Sequence, residues 1–279
     1  MIYTVTLAAD NQKISKAIEI SLILKKLNID SVATGISLGE YSAKTELDKA
    51  GIAHHFFEQK NETQLDLFNN EKVKVEAKIQ QEFLDYLKET LQMGDILVVA
   101  GEFAEGIDPV YLIDMAKIAA KAMVHLVVDV PYDTVLDILP LHPLLIKPNQ
   151  TELKDWYDKK EDQLSVKEEI DLAHDLVVQG ADHVLLSLGE NGAAIVNLMH
   201  AYVADAPEIK FENERGTGET LLATFLAGML QNHMPVRNLA DSIAAASDTA
   251  QSEWLTDFEN VAELQKLIIA EKMTFEEAE

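Results

Sequence analysis

Short apolar, partly β-branched runs recur along the chain at Ile2–Leu7, Ser31–Gly35, Asp95–Gly101, His125–Asp129, Leu144–Lys147 and His183–Leu188. Runs of this length without alternation predict strands buried on both faces. The segments between them have helical period. Ile14, Ile18 and Leu22 share a face with Ala17, Ile20, Leu24 and Leu27, while Lys16, Glu19, Lys25 and Lys26 point elsewhere. Further helices are predicted over Tyr41–Ala50, Ile79–Gln92, Pro109–Lys121 and Val166–Gln179. Gly180 and Asn28 supply stop signals, and Ser165 with Glu168 three residues on forms a capping box. Alternating strand and helix predict an α/β fold: a central, mostly parallel sheet flanked by helices.

Two stretches depart from the alternation. His55–Phe57, Gln64–Phe68 and Val73–Ala77 read as successive short strands, with Asn69–Glu71 as a turn, and predict a small antiparallel lid around 54–77. From Thr217 the pattern is helical, over Thr217–Gln231, Pro235–Glu253 and Asn260–Ala270, before an acidic end at Phe275–Glu279. No linker or shift in composition interrupts the chain, so one domain over residues 1–279 is expected.

Charge removes whole classes of partner. The 279 residues carry 23 basic and 48 acidic side chains, a formal charge of −25, which repels nucleic acid and anionic membrane surfaces. There is no cysteine, hence no disulfide, thiol nucleophile or thiolate zinc site. The opening residues lack a signal-peptide pattern and no apolar run approaches a membrane span, so a soluble, cytoplasmic protein is expected.

The candidate chemistry centres on Asn213–Gly228. Gly216 and Gly218 flank Thr217 at the start of a long apolar helix, where backbone N–H groups and the helix dipole favour an anion such as phosphate. Glu219 in the first turn would lie beside that anion as a proton acceptor. The competing reading is an ordinary helix start with a dipole-compensating glutamate. Lys147-Pro-Asn-Gln-Thr-Glu152 closes a buried strand, at the sheet edge where α/β proteins bind ligands. Leu186–Gly192 leaves another strand through a double-glycine turn. Other groups invite weaker readings: His54–His55 or Asp171/His174/Asp175 as cation ligands, Trp156/Tyr157 as a base-stacking platform, Asp129 as an acceptor contact or turn cap, and Arg215 as a phosphate counter-charge or surface ion pair. No Gly-x-Gly-x-x-Gly follows the first strand, which disfavours a dinucleotide-dependent dehydrogenase.

Taken in order, these loops resemble the ribokinase-like (PfkB) carbohydrate kinases, most of all the branch with 1-phosphofructokinase and tagatose-6-phosphate kinase. Met1–Leu7, Gly94–Gly101, Leu145–Leu153 and Leu186–Gly189 carry the resemblance. It implies a ribokinase-like fold and phosphoryl transfer from ATP, with Mg2+, to a hydroxyl of a sugar or phosphosugar. By position it implies that Gly216, Thr217 and Gly218 form the anion hole, that Glu219 is the base, and that Asn149 and Glu152 organise Mg2+ indirectly. Lys147, Asn149, Glu152, Ser187, Gly189 and Gly192 fall on the nucleotide side, and Asp10, Lys16, Asp129 and Arg215 on the acceptor side. A homodimer is compatible with it.

The departures from the family pattern cluster on the acceptor side. Ala8–Lys13 is too short for lid strands at roughly 3.3 Å per residue. The family's Gly-Gly-Lys-Gly-x-Asn falls on Ile14–Glu19, where only Lys16 survives and Glu19 brings a negative charge. Gln64 and Glu102 stand near where a substrate phosphate is expected, and Glu219 replaces an aspartate. These changes predict that fructose 1-phosphate, fructose 6-phosphate and tagatose 6-phosphate are poor substrates. The alternative function is a nucleotide-binding family member of weak or absent activity, with a regulatory or partner-binding role.

Overall fold

The computed structural model describes residues 1–9, 14–38, 43–59, 74–160 and 164–275. Ten strands form one sheet: β1 (Ile2–Ala9), β2 (Ser31–Leu38), β3 (Ala53–Gln59), β4 (Ile96–Ala100), β5 (His125–Asp129), β6 (Leu145–Ile146), β7 (Val184–Ser187), β8 (Ala193–Val196), β9 (His200–Ala204) and β10 (Ala270–Thr274). Their order is β10-β9-β8-β7-β6-β5-β4-β1-β2-β3. The strands from β3 through β7 are parallel, and β8, β9 and β10 continue the sheet antiparallel. The mostly parallel α/β sheet is the one expected.

Side chains on a strand point alternately to its two faces, and each face has its own core. Leu97 and Val99 of β4 meet Phe83, Leu87, Leu112 and Met115. Those four residues come from α3 (Ala77–Thr90) and α4 (Tyr111–Ala122). Ile96, Val98 and Ala100 face the opposite core with Ile18, Ile23, Leu222 and Phe225. These come from α1 (Lys16–Lys26) and α8 (Thr217–Leu230). The remaining helices are α2 (Ala43–Ala50), α5 (Val135–Ile138), α6 (Gln150–Trp156), α7 (Val166–Val178), α9 (Pro235–Ala250) and α10 (Val261–Gln265). Every residue from Glu219 to Gly228 of α8 is buried, so this largely apolar helix lies inside the molecule. No helix among the described residues is long and apolar enough to cross a membrane.

Three expectations need correction. The strand at residues 55–57 is part of β3, which pairs parallel with β2. Residues 64–68 and the 69–71 turn lie outside the described residues, while Ala77 begins α3 rather than ending a strand. β2 runs past Gly35 to Leu38. The last predicted helix is the short α10, and the chain then returns as β10 against β9. β8, β9 and β10 were not read as strands; β9 (HAYVA) and β10 (AEKMT) mix polar and apolar positions and lack the continuous apolar runs that marked the buried parallel strands.

Candidate active site

The order of the sheet reverses between β4 and β1, and the carboxyl ends of strands at such a switch point open into a crevice. Lys16 begins the helix after β1, Gly101 follows β4, Asp129 ends β5 and Lys147 follows β6. Asp129 is fully buried, and its Oδ1 accepts from the Lys16 ammonium at 3.3 Å. The Lys147 ammonium, only 4% exposed, lies 3.3 Å from the same oxygen. Lys16 also lies 3.8 Å from Glu219 Oε1. Burial works against the Lys16 ammonium, but Asp129, Glu219 and Glu152 outweigh it and hold the group above its ordinary range. Gly101 turns the chain at the end of β4 with φ +95°, a conformation that favours glycine, and the Lys16 stem packs beside it.

The other wall is the start of α8. Gly216 adopts the left-handed conformation at φ +81° as N-cap, and a side chain there would collide with Leu255. Thr217 donates its N–H and its hydroxyl to the Glu214 carbonyl at 3.4 and 2.8 Å, which closes the turn. The first N–H groups of a helix have no intrahelical acceptor. A Cβ at Gly218 would lie 3.5 Å from Lys147 Nζ. Absence of a side chain therefore keeps open a cradle between the helix terminus and an ammonium, which fits the phosphates of a nucleotide.

Arg215 and Glu19 are joined. Arg215 Nε donates to Glu19 Oε1 at 2.8 Å, and the guanidinium also donates to the Ile14 carbonyl at 3.3 Å. Glu19 is 3% exposed. Burial, and then the charge of Glu219, push the Glu19 carboxyl up to about 7 against the opposing pull of Arg215. The naked carboxylate anticipated on the acceptor side is thus a buried, paired group. Glu102 is exposed, and Asp10 and Gln64 lie outside the described residues.

The Glu19 titration has a testable sign. Between about pH 4.5 and 7 the native protein retains a proton on Glu19 that the unfolded chain releases, so this group's contribution to stability falls as pH rises. Urea unfolding of wild type and Glu19→Gln at pH 5 and pH 8 should therefore show the stability difference moving in favour of the variant at the higher pH. A pH-independent difference would contradict the raised carboxyl.

The nucleotide-side candidates split. Asn149 and Glu152 form a capping box at the start of α6: Asn149 Oδ1 accepts from the Glu152 N–H at 2.8 Å, and Glu152 Oε2 accepts from the Asn149 N–H at 2.9 Å. Burial raises the Glu152 carboxyl, opposed by the Asn149 N–H and Lys147. Oε1 stays outside the box. That suits Mg2+, which commonly takes one or two carboxylates together with water and substrate phosphate oxygens. Ser187 bridges to Asn149, and its hydroxyl donates to the Pro148 carbonyl at 3.3 Å. Gly189, at φ +60°, lies beside Gln150, so these two loops meet. Gly192 serves the β7–β8 turn: at φ +87° a side chain would overlap the Ala204 carbonyl.

The weaker candidates have structural partners. His54 bonds Asp48 and His55 stacks on Tyr86. His174 stacks on Phe275, Asp171 pairs with Lys167, and Asp175 accepts from the Tyr157 hydroxyl at 2.7 Å. Trp156 is buried and donates to the Pro131 carbonyl. Among the described residues no three His or carboxylate side chains converge on a metal position. The sequence reading missed the roles of Gly101 and Leu255. The glycine at a strand end was a usable signal; nothing local marks Leu255.

A cavity of about 280 Å³ between α8, α9 and β7–β9 is lined by His183, Tyr202, Phe225 and His233, among others. It adjoins the opposite end of β7 and shares no residue with the cluster.

The chain is 29% identical over 261 residues to D-tagatose-1-phosphate kinase of Bacillus licheniformis, covering 89% of this chain and 84% of that protein. It is also 29% identical to 1-phosphofructokinase of Bacillus subtilis, with 89% and 85% covered. A crystal structure of a candidate phosphofructokinase from Staphylococcus aureus superposes with a TM-score of 0.82 at 25% identity, covering 99% of this chain and 100% of that one. The family model described as pfkB family carbohydrate kinase matches residues 31–253. With a glycine-flanked helix start, a buried carboxylate in its first turn, and one lysine from the start of α1 and another from the end of β6 beside it, the chain has the ribokinase-like fold and belongs to the pfkB family of carbohydrate kinases.

Proposed function

We propose that this protein transfers the γ-phosphoryl group of ATP to a hydroxyl of a ketose phosphate, with Glu219 as the base. The observation that carries this reading is the placement of Glu219, buried in the first turn of α8 and 3.8 Å from Lys16, directly beside the Gly216–Gly218 cradle. The acceptor O–H gives its proton to the Glu219 carboxylate as its oxygen bonds to phosphorus. The bond to the bridging oxygen breaks, and that oxygen leaves with its electron pair on ADP. N–H groups at the start of α8 and the Lys147 ammonium face the phosphoryl oxygens and stabilise their charge. Lys16, between Asp129 and Glu219, places a second cation on the acceptor side. Ser187 and Gly189, packed on Asn149–Gln150, border the nucleotide. Mg2+ would be held through Asn149 and the Glu152 carboxylate, largely by way of water, and would offset charge on the donor phosphates.

A phosphorylated acceptor is supported by the names of the relatives, a tagatose-1-phosphate and a fructose-1-phosphate kinase. The Arg215 partner of Glu19 also removes the main charge objection to an anionic acceptor. ADP release should be assayed with Mg-ATP and fructose 1-phosphate, tagatose 1-phosphate, fructose 6-phosphate or tagatose 6-phosphate, alongside melting temperature. Turnover of at least one, together with a rise in Tm on adding millimolar Mg-ATP, is the expected result. A thermal shift without ADP release from any of the four would replace this reading by nucleotide binding alone, and no shift would remove both.

A further inference from the structure

We infer that Asp129 is a positioning residue of the phosphoryl-transfer site, holding the Lys16 and Lys147 ammoniums together as one clamp on the transferring group. The inference rests on the kinase reading above and assigns Asp129 a different place from the acceptor contact suggested by sequence. The Asp129 side chain has no exposed surface, so it lies beneath the cleft. Its Oδ1 is 3.3 Å from both ammoniums, while Oδ2 is buried without a hydrogen-bond partner among the described residues. Two like charges brought this close repel unless an anion lies between them, and Asp129 is that anion. One carboxylate oxygen thereby sets both sides of the reaction: Lys147 beside the Gly218 cradle and Lys16 beside Glu219. Glu152 from α6 and Glu219 from α8 are the other charges that act on Lys16. Cations fixed before the substrate arrives need no reorganisation as charge develops on the phosphoryl oxygens, and such preorganised donors are worth about 10²–10³-fold in rate.

A buried ion pair can also serve stability alone, so the test needs readouts that stability does not move. In the ADP-release assay Asp129→Asn should lower kcat about 10²-fold and leave the KM for Mg-ATP within about threefold of wild type. Lys16→Met should lower kcat as well. If the carboxylate acts through Lys16, the double variant should lose no more than about threefold beyond the worse single variant, because residues acting as a unit are non-additive. Asp129→Glu keeps the charge but displaces the oxygen by one methylene, and should cost at least about tenfold in kcat with Tm preserved. Should Asp129→Asn not fold, Asp129→Glu decides. A folded Asp129 variant with kcat within threefold of wild type, or losses that multiply in the double variant, overturns the clamp while leaving the kinase reading intact. Absence of wild-type turnover with all four ketose phosphates overturns the proposed function, and the clamp with it.

Discussion

Glu219→Gln should lower kcat about 10²- to 10⁴-fold, the range lost when a positioned general base is removed, while the protein stays folded. Glutamine preserves the shape of a side chain that is 9% exposed in the first turn of α8, but it cannot take the acceptor proton. Mg-ATP affinity measured by calorimetry should hold or rise, since a negative charge beside the phosphates is lost. Lys16 keeps Asp129 as its closer partner, at 3.3 Å against 3.8 Å to Glu219, so the cluster survives the change. Glu219→Asp separates two histories of the site. A faster enzyme would mean that the longer side chain holds the base out of reach; a slower one would mean that the surroundings have adapted to glutamate. Turnover indifferent to Glu219→Gln would refute the assignment of the base.

The largest stability loss is expected at Gly35. It lies within β2 at φ +134°, opposite Thr6 of β1, and a Cβ there would fall inside the Thr6 carbonyl. The pairing register shifts just beyond, between Thr6 and Ala9. Gly35→Ala combines a strained backbone with a clash between two inner strands, and should cost about 3 kcal/mol or more. Gly51 is the internal control. It also has positive φ, at +64°, but open space around its Cβ position, so Gly51→Ala carries only the left-handed penalty of about 1 kcal/mol. Urea midpoints of the two variants compare these directly. If Gly35→Ala loses no more than Gly51→Ala, the β1–β2 contact yields and the close-approach argument fails.

The parallel core was legible because burial on both faces demands continuous apolar runs, as in Ile96–Ala100 and His125–Asp129, and because the intervening helices keep their own period. A helix start was legible where one residue closes the turn, as Ser165 does with Glu168; the same arrangement at Asn149 and Glu152 was read for its chemistry and not as a helix start. The start of α8 announced itself through Gly216 and Gly218, since a left-handed N-cap is a backbone property that a few neighbouring residues specify. Such features depend on contacts within about one turn of the chain, and the sequence determines them alone.

The electrostatics of the site were decided elsewhere. Read locally, Glu19 is a negative charge on the acceptor side and Asp129 a residue ending a strand. Only the packing of α1 against α8 brings Arg215 onto Glu19, and only the assembled sheet brings Lys16 and Lys147 onto one oxygen of Asp129. The parallel pairing of β3 with β2 has the same origin: an isolated strand carries no mark of its neighbour's direction. Propensity and periodicity act between residues close in the chain, whereas charge pairing acts through space between segments that meet only after the sheet has formed. The sequence therefore determined the glycine-flanked start of α8 and the carboxylate in its first turn, and the tertiary structure decided which charges surround them and how those charges are paired.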